Sequence, residues 1–129
     1  MLSCNIEQEI NKKKDELSSV IKERCLGKDY FQGHSLPPEQ FIDVIIKDYL
    51  ETIIICSQTG SMSVFTEKLG WFKDMYSSRK GEVPLEWMLD MFGEVKKALK
   101  GSCASAYKEL SRVLEEMEDM MQRLFKESD

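Results

Sequence analysis

Three residues near the first predicted loop carry side chains that could perform nucleophilic chemistry: Cys25, Tyr30 and His34. His34 is the one histidine in the chain, so a thiol–histidine pair could involve only this residue, with Cys25 as the nearest thiol in sequence. A catalytic histidine also needs an acidic partner that orients its ring, and none can be assigned to His34. A haem ligand, the alternative role, normally faces a pocket from within a helix, whereas His34 lies in a predicted loop. We therefore predict a protein that is not an enzyme and has no catalytic residues.

Acidic residues and cysteines are the groups that could hold a metal ion. The acidic residues of the second and last predicted helices are Asp43, Asp48, Glu51, Glu115, Glu116, Glu118 and Asp119. A helical di-iron site needs inward Glu-x-x-His pairs, and the sequence contains none. The four cysteines stand far apart and offer no Cys-x-x-Cys pair; they are Cys4, Cys25, Cys56 and Cys103. We predict free thiols, no metal site and no cofactor.

Methionines are unusually frequent, with eight in the chain. Five of them fall on the last two predicted helices: Met88, Met91, Met117, Met120 and Met121. Because a thioether adapts to irregular shapes, such a cluster can either fill a core or line an apolar pocket. The candidates for a pocket are Phe72, Met88 and Met117.

The two tryptophans, Trp71 and Trp87, lie at the edges of predicted apolar stripes. Tryptophan is enriched in protein interfaces, where its large ring is covered by a partner. Tyr107, Leu114 and Met121 repeat every seven residues beside the main stripe of the last predicted helix. We predict these five residues as interface candidates.

The charge balance disfavours a general nucleic-acid role. The 129 residues carry a formal net charge of -5, and phosphate binding requires a basic surface. The longest apolar run, Ile53–Cys56, is far shorter than the roughly 20 residues that span a membrane. We expect a cytoplasmic protein that binds neither nucleic acid nor membrane.

The spacing of apolar residues predicts helices throughout. In the last quarter of the chain they recur at steps of four and three, as in Ala106, Leu110, Val113, Met117, Met120 and Leu124. Comparable patterns predict helices at about 5–26, 37–58, 62–78, 84–100 and 103–126. The second of these has apolar residues over more than half its circumference and should be central. We predict one all-α domain over residues 1–129, with about five helices in a globin-like or bundle-like arrangement.

One segment resembles a known pattern. It contains Val64-Phe65, Leu69, Trp71-Phe72, Met75, the turn Ser78-Arg79-Lys80-Gly81-Glu82-Val83-Pro84-Leu85-Glu86, then Leu89 and Phe92. This order is similar to the helix–turn–helix of helical N-terminal sensor domains in bacterial signalling regulators, including stressosome co-antagonist proteins. The resemblance implies a globin-like or bundle-like fold, often without haem, that transmits signals by binding partners.

These observations favour a non-catalytic, regulatory or sensor-like protein-interaction module that self-associates. The alternative is a carrier of a small apolar ligand or cofactor, with a Met- and aromatic-lined cavity between helices. Self-association would bury the edges of the apolar stripes as a symmetric homo-oligomer.

Overall fold

The computed structural model describes residues 4–27, 38–78 and 85–128. The elements in those ranges are all helices: α1 (Cys4–Lys12), α2 (Lys14–Leu26), α3 (Pro38–Thr59), α4 (Ser63–Ser78), α5 (Leu85–Ser102) and α6 (Ala104–Ser128). Buried apolar residues from all of these helices form one core. The prediction of an all-α class is therefore confirmed.

The predicted first helix, 5–26, is divided into α1 and α2 by a turn at Lys13. The apolar stripe is interrupted between Ile10 and Leu17, where three lysines follow one another. The turn allows both apolar residues to be buried while the Lys13 ammonium group donates a hydrogen bond to the carbonyl of Ser102, the last residue of α5. The described ranges thus hold six helices, where the sequence predicted about five.

The most apolar helix, α3, is central, as its composition predicted. It packs against each of the other five described helices. Tyr49, Ile46 and Ile53 are among its fully buried residues. The polar side of α3 forms ion pairs with neighbouring helices. One of them joins Asp43 to Lys22 of α2 at 3.1 Å.

The chain turns sharply between α3 and α4. Gly60 adopts a φ of 68°, a left-handed conformation that favours glycine, and its amide donates to the carbonyl of Cys56. The hydroxyl of Ser61 accepts a 3.2 Å hydrogen bond from the amide of Ser63, the first residue of α4. This short connection makes α3 and α4 an antiparallel hairpin.

The last two helices pack against each other although Cys103 alone separates them. An ion pair of 2.7 Å between Lys96 of α5 and Glu118 of α6 lies across this contact. No helix in the described ranges has the length and apolar character needed to cross a membrane.

Candidate functional site

The α3–α4 hairpin carries an exposed surface beside an ion pair. Lys68 of α4 binds the carboxylate of Asp48 on α3, and both side chains are partly exposed. Val44 lies one turn before Asp48, and Trp71 lies about one turn after Lys68. Since the two helices are antiparallel, both steps lead away from the connection between them. Val44 and Trp71 therefore lie on the same side of the ion pair and on the faces that carry it.

These two residues are strongly exposed for their type. Val44 is 65% exposed and Trp71 is 61% exposed, whereas the other exposed large apolar residues of the described part, Leu26 and Ile55, are each 39% exposed. Ile55 lies eleven residues after Val44, which returns to almost the same side of α3. Lys47 and Glu51 are exposed between them. We call this set, Val44, Lys47, Glu51, Ile55 and Trp71, the α3–α4 face.

Polar bridges between helices border this face. On the α4 side lies the Asp48–Lys68 pair, and on the α2 side lies the Asp43–Lys22 pair. Near the end of α3, the amide of Gln58 donates to the carboxylate of Glu7 on α1. An apolar centre with a polar border is the arrangement that protein interfaces share.

The predicted interface residues fall into two groups. Trp71 is exposed, and Trp87 and Tyr107 are half-buried. Leu114 and Met121 belong to the hydrophobic core, so within this fold their side chains contact the chain's own helices. The buried side of α6 is shifted from the predicted stripe toward Leu114 and Met121, because Val113 and Met120 are only half-buried.

Two of the predicted pocket residues, Met88 and Met117, are buried in the core. The side chain of Phe72 lies outside the described residues, as do all atoms of Tyr30 and His34. Around Met88 the interior is closely packed by aromatic rings, since Tyr49 and Phe92 meet edge to face with their centroids 5.3 Å apart. Both methionines belong to the hydrophobic core cluster.

A cleft of about 310 Å³ opens between the end of α3, the α3–α4 connection and α6. Its lining comprises Cys56, Ser57, Gly60, Met62, Glu109, Arg112, Val113 and Glu116. The guanidinium of Arg112 lies 3.5 Å from Glu116 on the outer wall. Of the residues predicted to form a pocket, neither Met88 nor Met117 is in this described lining.

Two residues that line the cleft, Cys56 and Ser57, have side chains of the types that can act as nucleophiles. Burial raises the pKa of the Cys56 thiol, although the backbone N–H of Phe65 at the start of α4 acts in the opposite direction. The hydroxyl of Ser57 donates a 2.6 Å hydrogen bond to the carbonyl of Ile53. A thiol with a raised pKa remains protonated near neutral pH and is a poor nucleophile.

Cysteines and acids elsewhere in the described part are not assembled into a centre. Cys25, Cys56 and Cys103 are all buried. Burial, followed by the carboxylate of Glu9, raises the pKa of Cys103. Among the described residues, no group of three or more His, Cys, Asp or Glu side chains could hold a metal ion.

Val44 and Ile55 were not predicted to be surface residues, since both belong to the helix with the widest apolar surface. A signal was nevertheless present. Lys47 and Glu51 lie on the line between them at steps of three, four and four residues, the spacing of one helix side. Charged residues on that line indicate that it faces solvent.

No protein-family model matches this chain, and no curated protein or solved structure is significantly similar to it.

Proposed function

We propose that the protein is a non-catalytic regulatory module that acts by protein–protein association through the α3–α4 face, with a second copy of the chain as its partner. The main support is the placement of Val44 and Trp71, the two most exposed large apolar residues of the described part. Both lie on one side of the Asp48–Lys68 ion pair. Covering a tryptophan that is now 61% exposed contributes roughly 2 kcal/mol to association.

The state of the thiols supports a module that is not catalytic. Burial raises the pKa of the Cys56 thiol, and the Ser57 hydroxyl donates to a main-chain carbonyl within its own helix. The largest exposed apolar groups lie elsewhere, on the α3–α4 face. Recognition by contact is the activity that such a surface supports best.

Sedimentation velocity of the full chain at increasing concentration tests this proposal. We expect a reversible monomer–dimer equilibrium that Trp71→Ser shifts toward monomer by about tenfold or more in Kd. Because Trp71 is exposed, the variant should fold normally, with an unchanged circular dichroism spectrum. A wild-type protein that remains monomeric at millimolar concentration would exclude self-association.

Ile55 and Leu26 provide a matched pair of variants, since each is 39% exposed. Ile55 belongs to the α3–α4 face, whereas Leu26 is the last residue of α2. Ile55→Ser should weaken the dimer, and Leu26→Ser should leave it unchanged. Equal effects of the two substitutions would indicate nonspecific hydrophobic association.

The second candidate function, carriage of a small apolar ligand, is supported by the cleft between α3 and α6. Its volume of about 310 Å³ is at the lower end of the range typical of ligand pockets, and Met62, Val113 and Cys56 provide apolar surface. An apolar fluorescent dye that binds the wild-type protein, and that Val113→Trp excludes by filling the cleft, would favour this function. Dye binding that is unaffected by Val113→Trp would count against it.

A further inference from the structure

Along the exposed side of α3, an apolar residue stands at each end and two charged residues of opposite sign stand between them. From Val44 it presents an apolar residue, a cation, an anion and an apolar residue, ending at Ile55. The two charges, Lys47 and Glu51, lie close to the midpoint between the apolar residues. A surface of this kind is complementary to itself after a rotation by 180°, as a twofold interface requires.

We infer that two copies of the chain associate with their α3 helices antiparallel, so that Lys47 of each copy faces Glu51 of the other. This inference rests on the proposed function and specifies the arrangement of the two chains. In it, Val44 packs against Ile55 of the second copy at both ends of the contact. Trp71, on the Val44 side of the ion pair, then lies over the end of the second copy's α3 that carries Ile55.

The charges of the face select this orientation. In a parallel arrangement with the same register, Lys47 would face Lys47 of the second copy and Glu51 would face Glu51. Like charges in direct apposition destabilise a contact, whereas the antiparallel arrangement forms two opposite-charge pairs by symmetry. The neighbouring Asp48 and Asp43 are already paired within the chain, with Lys68 and Lys22.

The dimensions of the face set the strength of the contact. From Val44 to Ile55 the exposed line of α3 is about 16 Å long, at 1.5 Å per residue. Even with Trp71 included, such a contact is at the small end of specific interfaces, which is the range of weak and transient complexes. We therefore expect a Kd on the order of micromolar to millimolar.

Two charge-reversal variants, Lys47→Glu and Glu51→Lys, test the arrangement. In a Lys47→Glu dimer the facing positions carry four carboxylates, and in a Glu51→Lys dimer they carry four ammonium groups. Each variant alone should associate about tenfold more weakly than the wild type. When the two are mixed, each facing pair again joins opposite charges, so the mixture should form a heterodimer with a Kd within about threefold of the wild-type value.

The measurement is fluorescence-detected sedimentation of two chains labelled with different dyes. The double variant Lys47→Glu/Glu51→Lys should associate with itself like the wild type. A matched control reverses the exposed Arg112–Glu116 pair on α6, which has the same four-residue spacing. A mixture of Arg112→Glu and Glu116→Arg chains should show no preference for heterodimers.

The experiments can contradict the antiparallel arrangement without contradicting the proposed self-association. If the wild type dimerises and Trp71→Ser prevents it, but the mixed charge variants form no selective heterodimer, the antiparallel arrangement is wrong and the proposed function stands. Tighter self-association of Lys47→Glu than of the wild type overturns the arrangement in the same way. A wild type that never dimerises overturns both.

Discussion

The hydroxyl of Tyr49, in the middle of α3, donates a 2.7 Å hydrogen bond to the backbone carbonyl of Met88, near the start of α5. Both residues are buried, and the Tyr49 ring also meets Phe92 one turn further along α5. One side chain therefore joins the central helix to α5 by a polar bond and an aromatic contact. A buried hydroxyl requires such a partner, so this bond fixes the position of α3 against α5.

Tyr49→Phe removes the hydroxyl and leaves the ring contact with Phe92 in place. We expect a loss of about 1 kcal/mol in the free energy of unfolding, the typical net contribution of such a hydrogen bond. Urea denaturation followed by circular dichroism measures it. Tyr107→Phe, at a half-buried position of α6, is the control and should have a smaller effect. Equal stabilities of Tyr49→Phe and the wild type would contradict this role of the hydroxyl.

Alkaline pH should weaken the fold through the same residue. Burial raises the pKa of the Tyr49 hydroxyl well above its usual value, and the Asp48 carboxylate and the Cys25 thiol act in the same direction. The unfolded chain then loses this proton at about pH 10, while the folded chain retains it. The stabilising contribution is complete below about pH 10 and is lost as the pH rises further. Tyr49→Phe should therefore show a shallower decline of stability above that pH.

The wild-type and variant curves should be compared as a difference. Burial also raises the pKa values of Cys56 and Cys103, so these thiols contribute to alkaline destabilisation with the same sign. Because both thiols remain in Tyr49→Phe, the difference between the two pH profiles isolates Tyr49. Parallel profiles up to the highest pH tested would show that Tyr49 does not titrate differently in the folded and unfolded states.

A buried carboxylate connects α5 to α2. The Glu94 side chain is 6% exposed and lies 3.6 Å from the guanidinium of Arg24 and 3.5 Å from the ammonium of Lys97. Arg24→Gln removes one cation from a buried anion and should destabilise the protein by about 1 kcal/mol, since Arg24 itself is half exposed. In a double-mutant cycle, the variant Arg24→Gln/Glu94→Gln should lose less stability than the sum of the losses of the two single variants.

The exposed pair on α6 is the control for this measurement. Arg112 is 90% exposed and 3.5 Å from Glu116, so Arg112→Gln should change the stability by no more than about 0.5 kcal/mol. Additive effects of Arg24→Gln and Glu94→Gln would show that the two side chains do not interact in solution.

Substitution of Met117 tests whether this residue belongs to a closely packed core or lines a ligand pocket. It is fully buried on α6, so Met117→Ala should cost about 2–5 kcal/mol by leaving a cavity in a packed core. Met120→Ala, at a half-buried position of the same helix, should cost distinctly less. Thermal denaturation of the two variants provides the comparison. A nearly neutral Met117→Ala would instead indicate a loosely packed site that could admit a ligand.

The apolar periodicity and the boundary residues together predicted four of the helices closely. The predicted spans 37–58, 62–78, 84–100 and 103–126 agree with α3 to α6 within two residues at each end. These helices have wide apolar stripes and strong boundary signals, such as Gly60 after α3. The turn at Lys13 was not predicted, although three lysines interrupt the apolar stripe there, and the contact of Lys13 with Ser102 joins residues distant in sequence. Local pattern carries no information about such a contact.

The α3–α4 face was only partly predictable. Trp71 lies off the centre of its stripe and is exposed in the structure, and its role in an interface stays a prediction. Val44 and Ile55 could not be assigned to the surface in the same way, because α3 is apolar on several sides and tertiary packing decides which side remains open. Leu114 and Met121 show the converse, because both belong to the core while Val113 and Met120 are half-buried.

The turn at Lys13 affects how readily the N-terminal helix opens by local unfolding. With nine residues, α1 is too short to remain helical by itself, so its amides are protected only while it lies against α3 and α6. The ammonium of Lys13 holds the junction by bonding to the end of α5. Neutralising that one amine, as acetylation does, would let the N-terminal segment exchange its amide hydrogens with solvent well before the rest of the protein unfolds.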